Sequence, residues 1–158
     1  MPNWCENVLT VKGSDKTIKS FVRTAKARGT ALSLNKFITM PVELENTRAP
    51  TLNDTKRQKA RNKRLRDKYG HDNWYEWRYQ HWGVKWDVKA QLIEHRDGHV
   101  TYAFDSAWGP PTEWLDTVAT KYPELRFTLK YEEPGMGFRG CHIVKDTKLI
   151  KDSYFVNN

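Results

Sequence analysis

The alternation of Leu125, Phe127, Leu129 and Tyr131 with Arg126, Thr128, Lys130 and Glu132 restricts this chain more than any other feature. Successive side chains of a strand point to opposite faces, so a period-two run of this kind predicts a strand with one face in a core and the other in water. The pattern recurs. Val100, Tyr102 and Phe104 alternate with Thr101, Ala103 and Asp105, and Val84, Trp86, Val88, Ala90 and Leu92 alternate with Lys85, Asp87, Lys89 and Gln91. Between those two runs lies HRDGH, whose Asp-Gly pair favours a tight hairpin. NVLTVKG, residues 7–13, reads as a first strand closed by glycine, and the tail from Phe138 to Phe155 as two more short strands. One-sided strands belong to an antiparallel sheet covered on a single face.

Two helical segments supply the cover. Ser14 and Asp15 offer N-caps for a helix carrying Ile18, Phe21, Val22 and Ala25, ended by Gly29. Pro110 and Pro111, with Thr112 near the cap, open another with Trp114, Leu115, Val118, Ala119 and Tyr122 on one side. With residues 30–83 set aside, the order is βαββαβ followed by a C-terminal hairpin. That is the split βαβ, or ferredoxin-like, arrangement of an α+β fold, with helices on one face of an antiparallel sheet. At 158 residues the chain suits one domain, 1–158, able to bury a core without metal or disulfide support. Trp86, Trp108 and Trp114 are expected in that core, Trp86 because it shares the phase of Val84 and Val88.

Residues 30–83 read as an inserted region. Residues 30–52, with two prolines, suggest a short strand or extended stretch and then a loop. A basic helix is expected over about 52–69 and an aromatic one over about 72–82. The chain carries a formal net charge of +8, and Asp54 to Lys68 holds eight cations against two carboxylates, which puts +6 in that one segment. Its only clear apolar positions are Ala60 and Leu65, and a helix polar nearly all round stands in solvent or binds something charged. Arg57, Arg61, Arg64 and Lys68 fall at i, i+4, i+7 and i+11 along one side, with Lys56 beside them. Three readings follow: a solvated face, a surface for an acidic protein, or a phosphate-binding element whose affinity falls steeply with salt. The aromatic segment has an apolar arc wider than one contact needs, leaving Tyr75, Tyr79 and Trp82 open as base-stacking residues beside the cationic helix. The open sheet face is a poor alternative, because the outward parity of the third strand is Thr101, Ala103 and Asp105 rather than aromatic.

Catalysis has little to stand on. No HExxH, phosphate-cradling glycine loop or GxSxG string occurs, and the five histidines suggest no constellation. His95 and His99 flank a turn, and adjacent Glu132 and Glu133 would point to opposite faces of a strand. Cys5 and Cys141 form no CxxC pair, so reduced structural thiols are expected and no metal ligands, cofactors or catalytic residues are assigned. No apolar run approaches the roughly 20 residues of a membrane span. The start, MPNWCENVLTV, lacks a charged leader and apolar h-region, so a cytoplasmic location is expected, without membrane partners.

The strings MPNWCENVLTVKG, HWGVKWD and FDSAWGPPTEWLDTVATKYPELRFTLKYEEPGMGFRG resemble the YubB ferredoxin-like domain family, phage- and plasmid-borne proteins without an assigned activity. The resemblance rests on Ala107, Trp108, Pro110, Pro111 and Trp114, then on Tyr131, Glu133, Pro134, Gly135, Phe138 and Gly140. It departs at His81, where relatives read Asn, and in the basic insert. It implies an α+β fold and a mobile-element origin in an infected or plasmid-bearing bacterium. Together these features lead to the expectation of a non-enzymatic accessory protein that binds nucleic acid, RNA or a single strand first, through Lys56, Arg57, Arg61, Arg64, Lys68, Tyr75, Tyr79 and Trp82. The alternative is a protein-binding inhibitor of a host factor such as a defence system, acting on an acidic surface.

Overall fold

A computed structural model describes residues 1–48 and 53–157. Its six strands form one antiparallel sheet in the order β2-β3-β1-β4-β5-β6. Strand β1 (Trp4–Lys12) lies between β3 (His99–Ala107) and β4 (Arg126–Glu133), with Glu6 opposite both Asp105 and Glu132. Helices α1 (Asp15–Ala25) and α4 (Thr112–Lys121) supply the two crossovers of the ferredoxin-like unit. Ser14 caps α1, its hydroxyl accepting from the Thr17 N–H at 3.2 Å. Beyond β4 the sheet is extended by the hairpin of β5 (Phe138–Lys145) and β6 (Lys148–Val156).

Period two decides which residues enter the core. Leu9 and Val11 on β1, Val100 and Tyr102 on β3, and Phe127 and Leu129 on β4 are buried against Ile18 and Phe21 of α1 and Trp114, Leu115 and Val118 of α4. The intervening Thr101 and Ala103 are half-buried and Asp105 is exposed on the opposite face, so the outward side of β3 carries no aromatic ring. The β2–β3 turn has Gly98 at φ 69°, a left-handed conformation that glycine adopts without steric cost.

The segment after α1 is not a strand. A single bridge, Ala27 to Thr30, precedes two short 3₁₀ turns, Leu34–Lys36 and Val42–Leu44. Side chains hold this segment to the helical layer: Trp114 Nε1 donates to the Leu34 carbonyl at 3.0 Å, Trp82 Nε1 to Ile38 at 2.9 Å and Lys121 Nζ to Phe37 at 2.9 Å. Buried carbonyls without such partners would cost more than a turn can offset.

The expected strand over 84–92 begins only at Ala90, since β2 spans Ala90–Arg96. Residues 83–89 instead form a connecting segment after Gly83, fixed by Asp87. Its carboxylate accepts from Ser33 Oγ at 2.5 Å, Leu34 N at 2.7 Å and Val88 N at 2.8 Å. Without strand geometry the parity rule lapses: Val84 and Val88 are buried, but Trp86 is 37% exposed and is not a core residue. Trp108 is likewise not in the core. It follows the last residue of β3 with φ 70°, donates its N–H to the Asn3 carbonyl and leaves its ring 49% exposed. Trp114 is buried, as the helical spacing predicts.

Candidate nucleic-acid interface

Helix α2 (Lys56–Tyr69) begins with a capping box. Thr55 Oγ1 accepts from Gln58 N at 3.2 Å while Gln58 Oε1 accepts from Thr55 N at 2.7 Å. Leu52, where the sequence places the start of the helix, lies outside the described residues. Leu65 is the one buried side chain of the helix. Its C-terminal end is tied down by charge: Arg66 pairs with the buried carboxylate of Asp72, and Lys68 Nζ lies 2.9 Å from Glu43 Oε1, which also accepts from the Tyr69 hydroxyl at 2.8 Å. The hydrogen bonds from Lys68 and Tyr69 hold the Glu43 carboxyl below its ordinary range, and Glu43 in turn raises the Lys68 ammonium.

The remaining cations are not held in this way, although the Arg64 charge also helps to lower the Glu43 carboxyl. Lys56, Arg57, Lys59, Arg61, Lys63 and Arg64 are exposed and make no ion pair with a carboxylate among the described residues. Arg57, Arg61 and Arg64 line, with Ala60, a shallow depression of about 380 Å³. The expected basic stripe therefore splits into three unpaired arginines and Lys68, whose charge is answered within the chain.

Helix α3 (Trp74–Trp82) is opened by Asn73, whose Oδ1 accepts from Glu76 N at 2.9 Å. Tyr75 is 42% exposed and half-buried Tyr79 sits with its ring 4.8 Å away. Burial first, then the Tyr75 hydroxyl, raises the Tyr79 hydroxyl pKa. Trp82 is not available for stacking. It is buried, hydrogen-bonded to Ile38, and covered by Arg78, whose guanidinium lies 5.2 Å from its ring centre and 5.0 Å from that of Trp74. Burial lowers the Arg78 pKa, with Asp87 and Glu45 opposing the shift. His81 has its ring centre 4.3 Å from that of Trp77, and burial lowers its pKa.

Sequence reasoning missed three residues that continue the aromatic surface. Lys85 Nζ lies 5.8 Å from the Tyr75 ring centre and 4.6 Å from that of Trp86, and Trp86 lies 6.2 Å from Trp4, itself 47% exposed. The signal available was the string KWD beside Gly83, where a segment leaving a helix need not yet be a strand. Past the Gly70 cap of α2 the chain turns into α3, and there His71 lies 3.8 Å from Glu76, the neighbour of Tyr75 in the first turn.

Among the described residues, no group of three or more His, Cys, Asp or Glu side chains is placed to hold a metal ion. His142 is buried with its nitrogens 2.6 Å from Asp116 and 3.3 Å from Asp152, tying α4 to the β5–β6 hairpin. His99 sits 3.0 Å from Thr101 Oγ1 and 3.5 Å from Glu94, while His95 is exposed. Glu132 and Glu133 do face opposite ways. Glu132 is exposed, and buried Glu133 accepts from Gly135 N at 2.6 Å and Met136 N at 2.7 Å, closing the β4–β5 turn. No described helix is long and apolar enough to cross a membrane.

Residues 81–157 match the family model described as a ferredoxin-like domain in Api92-like protein. The crystal structure of a protein api92 from Yersinia pseudotuberculosis superposes with a TM-score of 0.58 at 11% identity, over 100% of this chain and 99% of that one. At that identity the likeness concerns the fold. No curated protein sequence matches the chain. The matched stretch includes Lys85 and Trp86 and the strands β2 to β6, whereas α2, Tyr75, Tyr79 and Trp4 lie outside it.

Proposed function

We propose that this chain binds nucleic acid through the phosphate backbone, with α2 as the contacting element and RNA or a single strand as the favoured ligand. The observation carrying the proposal is the set Arg57, Arg61 and Arg64, exposed on successive turns of a helix that buries only Leu65 and without carboxylate partners in the described chain. A helix polar all round gains little from packing. Guanidinium groups at this spacing suit a row of phosphates, which position a ligand without reading its sequence. Lys68 contributes to anchoring the helix rather than to the ligand.

The resemblance to the YubB family supports placing this activity in a phage- or plasmid-borne accessory protein acting without catalysis in a bacterial cytoplasm. The test is the affinity of a fluorescently labelled RNA for the parent chain and for R57Q/R61Q/R64Q across a salt series. Weak binding with a flattened salt dependence in the variant supports the proposal. Equal affinity and equal salt dependence remove α2 from it, and recovery of one stoichiometric host protein after nuclease treatment would favour the inhibitor instead.

A further inference from the structure

A run of side chains from three parts of the chain lies along one surface: Tyr79 and Tyr75 from α3, Lys85 and Trp86 from the 83–89 segment, and Trp4 from β1. Each touches the next, with ring-to-ring or ammonium-to-ring separations of 4.8, 5.8, 4.6 and 6.2 Å. Tryptophan is among the most thoroughly buried residues on average, yet Trp86 and Trp4 are 37% and 47% exposed. The nearby core is filled by Val84 and Val88, so packing does not explain either ring. Contiguous exposed aromatics of this kind mark contact surfaces.

Charge says what the contact would be. Arg78, Lys85 and Lys89 make no ion pair with a carboxylate among the described residues. Asp87, the acid nearest in sequence, is occupied by donors from Ser33, Leu34 and Val88. Those donors are neutral, and Asp87 and Asp105 share a depression with Trp4 and Lys89, so the cationic part of the surface is at Lys85 and Arg78; there the combination of rings and positive charge suits bases on the rings with a phosphate near the Lys85 ammonium. Past Trp4, Glu6 faces Asp105 and Glu132 across the neighbouring strands, while Arg139 lies opposite Glu132 and lines a depression with Lys130 and Lys151, so the open sheet face is of mixed charge and carries no continuation of the aromatic run. We infer that unpaired nucleotides of a single-stranded nucleic acid stack along Tyr79, Tyr75, Trp86 and Trp4, with Lys85 beneath the backbone and the run ending at Trp4. The class of ligand rests on the nucleic-acid reading above, but the residues are independent of α2.

The probe is an oligothymidylate of about 15 nucleotides, a length suited to one stacking groove. Its affinity is measured by anisotropy for the parent, W86A, W4A, W108A and R57Q/R61Q/R64Q across a salt series, with urea midpoints to confirm folding. W86A and W4A should each weaken binding by about fivefold or more. Their salt dependence should stay that of the parent, because stacking neutralises no phosphate. W108A, whose exposed ring is outside the run, should bind as the parent does. Should W86A unfold, W86L keeps apolar bulk while removing the indole face and should show the same loss. Parent-like binding by W86A and W4A, an equal loss in W108A, or no binding of the oligonucleotide by the parent would each overturn the inference. Failure of the α2 reading looks different: the triple variant keeps the parent's salt dependence while the tryptophan variants still weaken binding.

Discussion

Replacing Asp87 with asparagine should destabilise the chain although the side chain is 54 residues in sequence from its main donor, Ser33. The carboxylate accepts from Ser33 Oγ, Leu34 N and Val88 N at 2.5 to 2.8 Å, with Asn35 N at a longer 3.4 Å. Hydrogen bonds to a charged acceptor contribute about 1.5–3 kcal/mol each and neutral ones about 1. Asparagine keeps one oxygen, enough for Leu34 and Val88, but turns an NH₂ toward Ser33 and the Asn35 N–H. The serine hydroxyl can rotate to accept, whereas the backbone N–H cannot. Weakening two bonds and losing a third gives about 2 kcal/mol, or about 4–8 °C in Tm for a domain of this size. Urea unfolding of D87N, S33A and the double variant measures both the loss and the coupling, expected near 1 kcal/mol for groups in direct contact. A loss below about 0.5 kcal/mol, or additive single effects, would show that Asp87 does not hold the 33–35 turn. The same loosening should reach Lys85 and Trp86, which the residue anchors.

Because single strands release about 0.7 counterion per neutralised phosphate, R57Q/R61Q/R64Q should lower the salt exponent by about 2, so that the parent loses about 20-fold more affinity than the variant between 50 and 200 mM salt. K68Q should change the exponent by much less, since Glu43 already holds that ammonium, and E43Q, by releasing it, should steepen the dependence slightly. Burial, with Glu133 nearby, pushes the Cys5 thiol up to about 12, so at pH 8 a thiol reagent should titrate only the half-buried Cys141 in the native chain and both thiols in urea. The sign for stability follows: above the ordinary thiol pKa of 9.0 the unfolded chain ionises Cys5 first, so the urea midpoint should fall between pH 8 and pH 10, and C5A should remove that part of the fall. A Cβ on Gly140 would lie 2.2 Å from the Tyr131 hydroxyl and 2.4 Å from the Ser153 carbonyl, and the latter is backbone, so G140A should cost more than about 2 kcal/mol by the same unfolding assay.

The sheet was legible because a period-two pattern needs no partner to be read: β3 and β4 alternate in burial as their residues alternate in polarity. It failed where alternation persisted without strand pairing. Val84, Trp86 and Val88 share a phase, but residues 83–89 make no ladder, so the phase carries no information about direction. Trp108 failed for another reason. Its left-handed φ of 70° is unusual for a bulky residue and belongs to the turn that returns to Asn3, a long-range contact invisible in local sequence. The basic helix was readable from composition, yet which cations were already answered depended on Glu43, from the segment before it, and Asp72, just beyond its end.

The recognisable patterns and the proposed surface fall on different residues for a physical reason. Trp114 fastens the Leu34 carbonyl, Glu133 closes the β4–β5 turn, Asp87 caps the 33–35 turn, and Gly140 leaves room for Tyr131. Each of these positions answers to defined partners within the fold. A surface that holds phosphates and stacks bases makes looser demands, because any exposed cation or ring at workable spacing serves. Those positions speak for the scaffold, while the proposed ligand rests on groups the scaffold does not use: Arg57, Arg61 and Arg64 on α2, and the exposed rings of Trp86 and Trp4. If that separation holds, substituting Trp86 should reduce binding more than stability, and substituting Asp87, its neighbour, should reduce stability first.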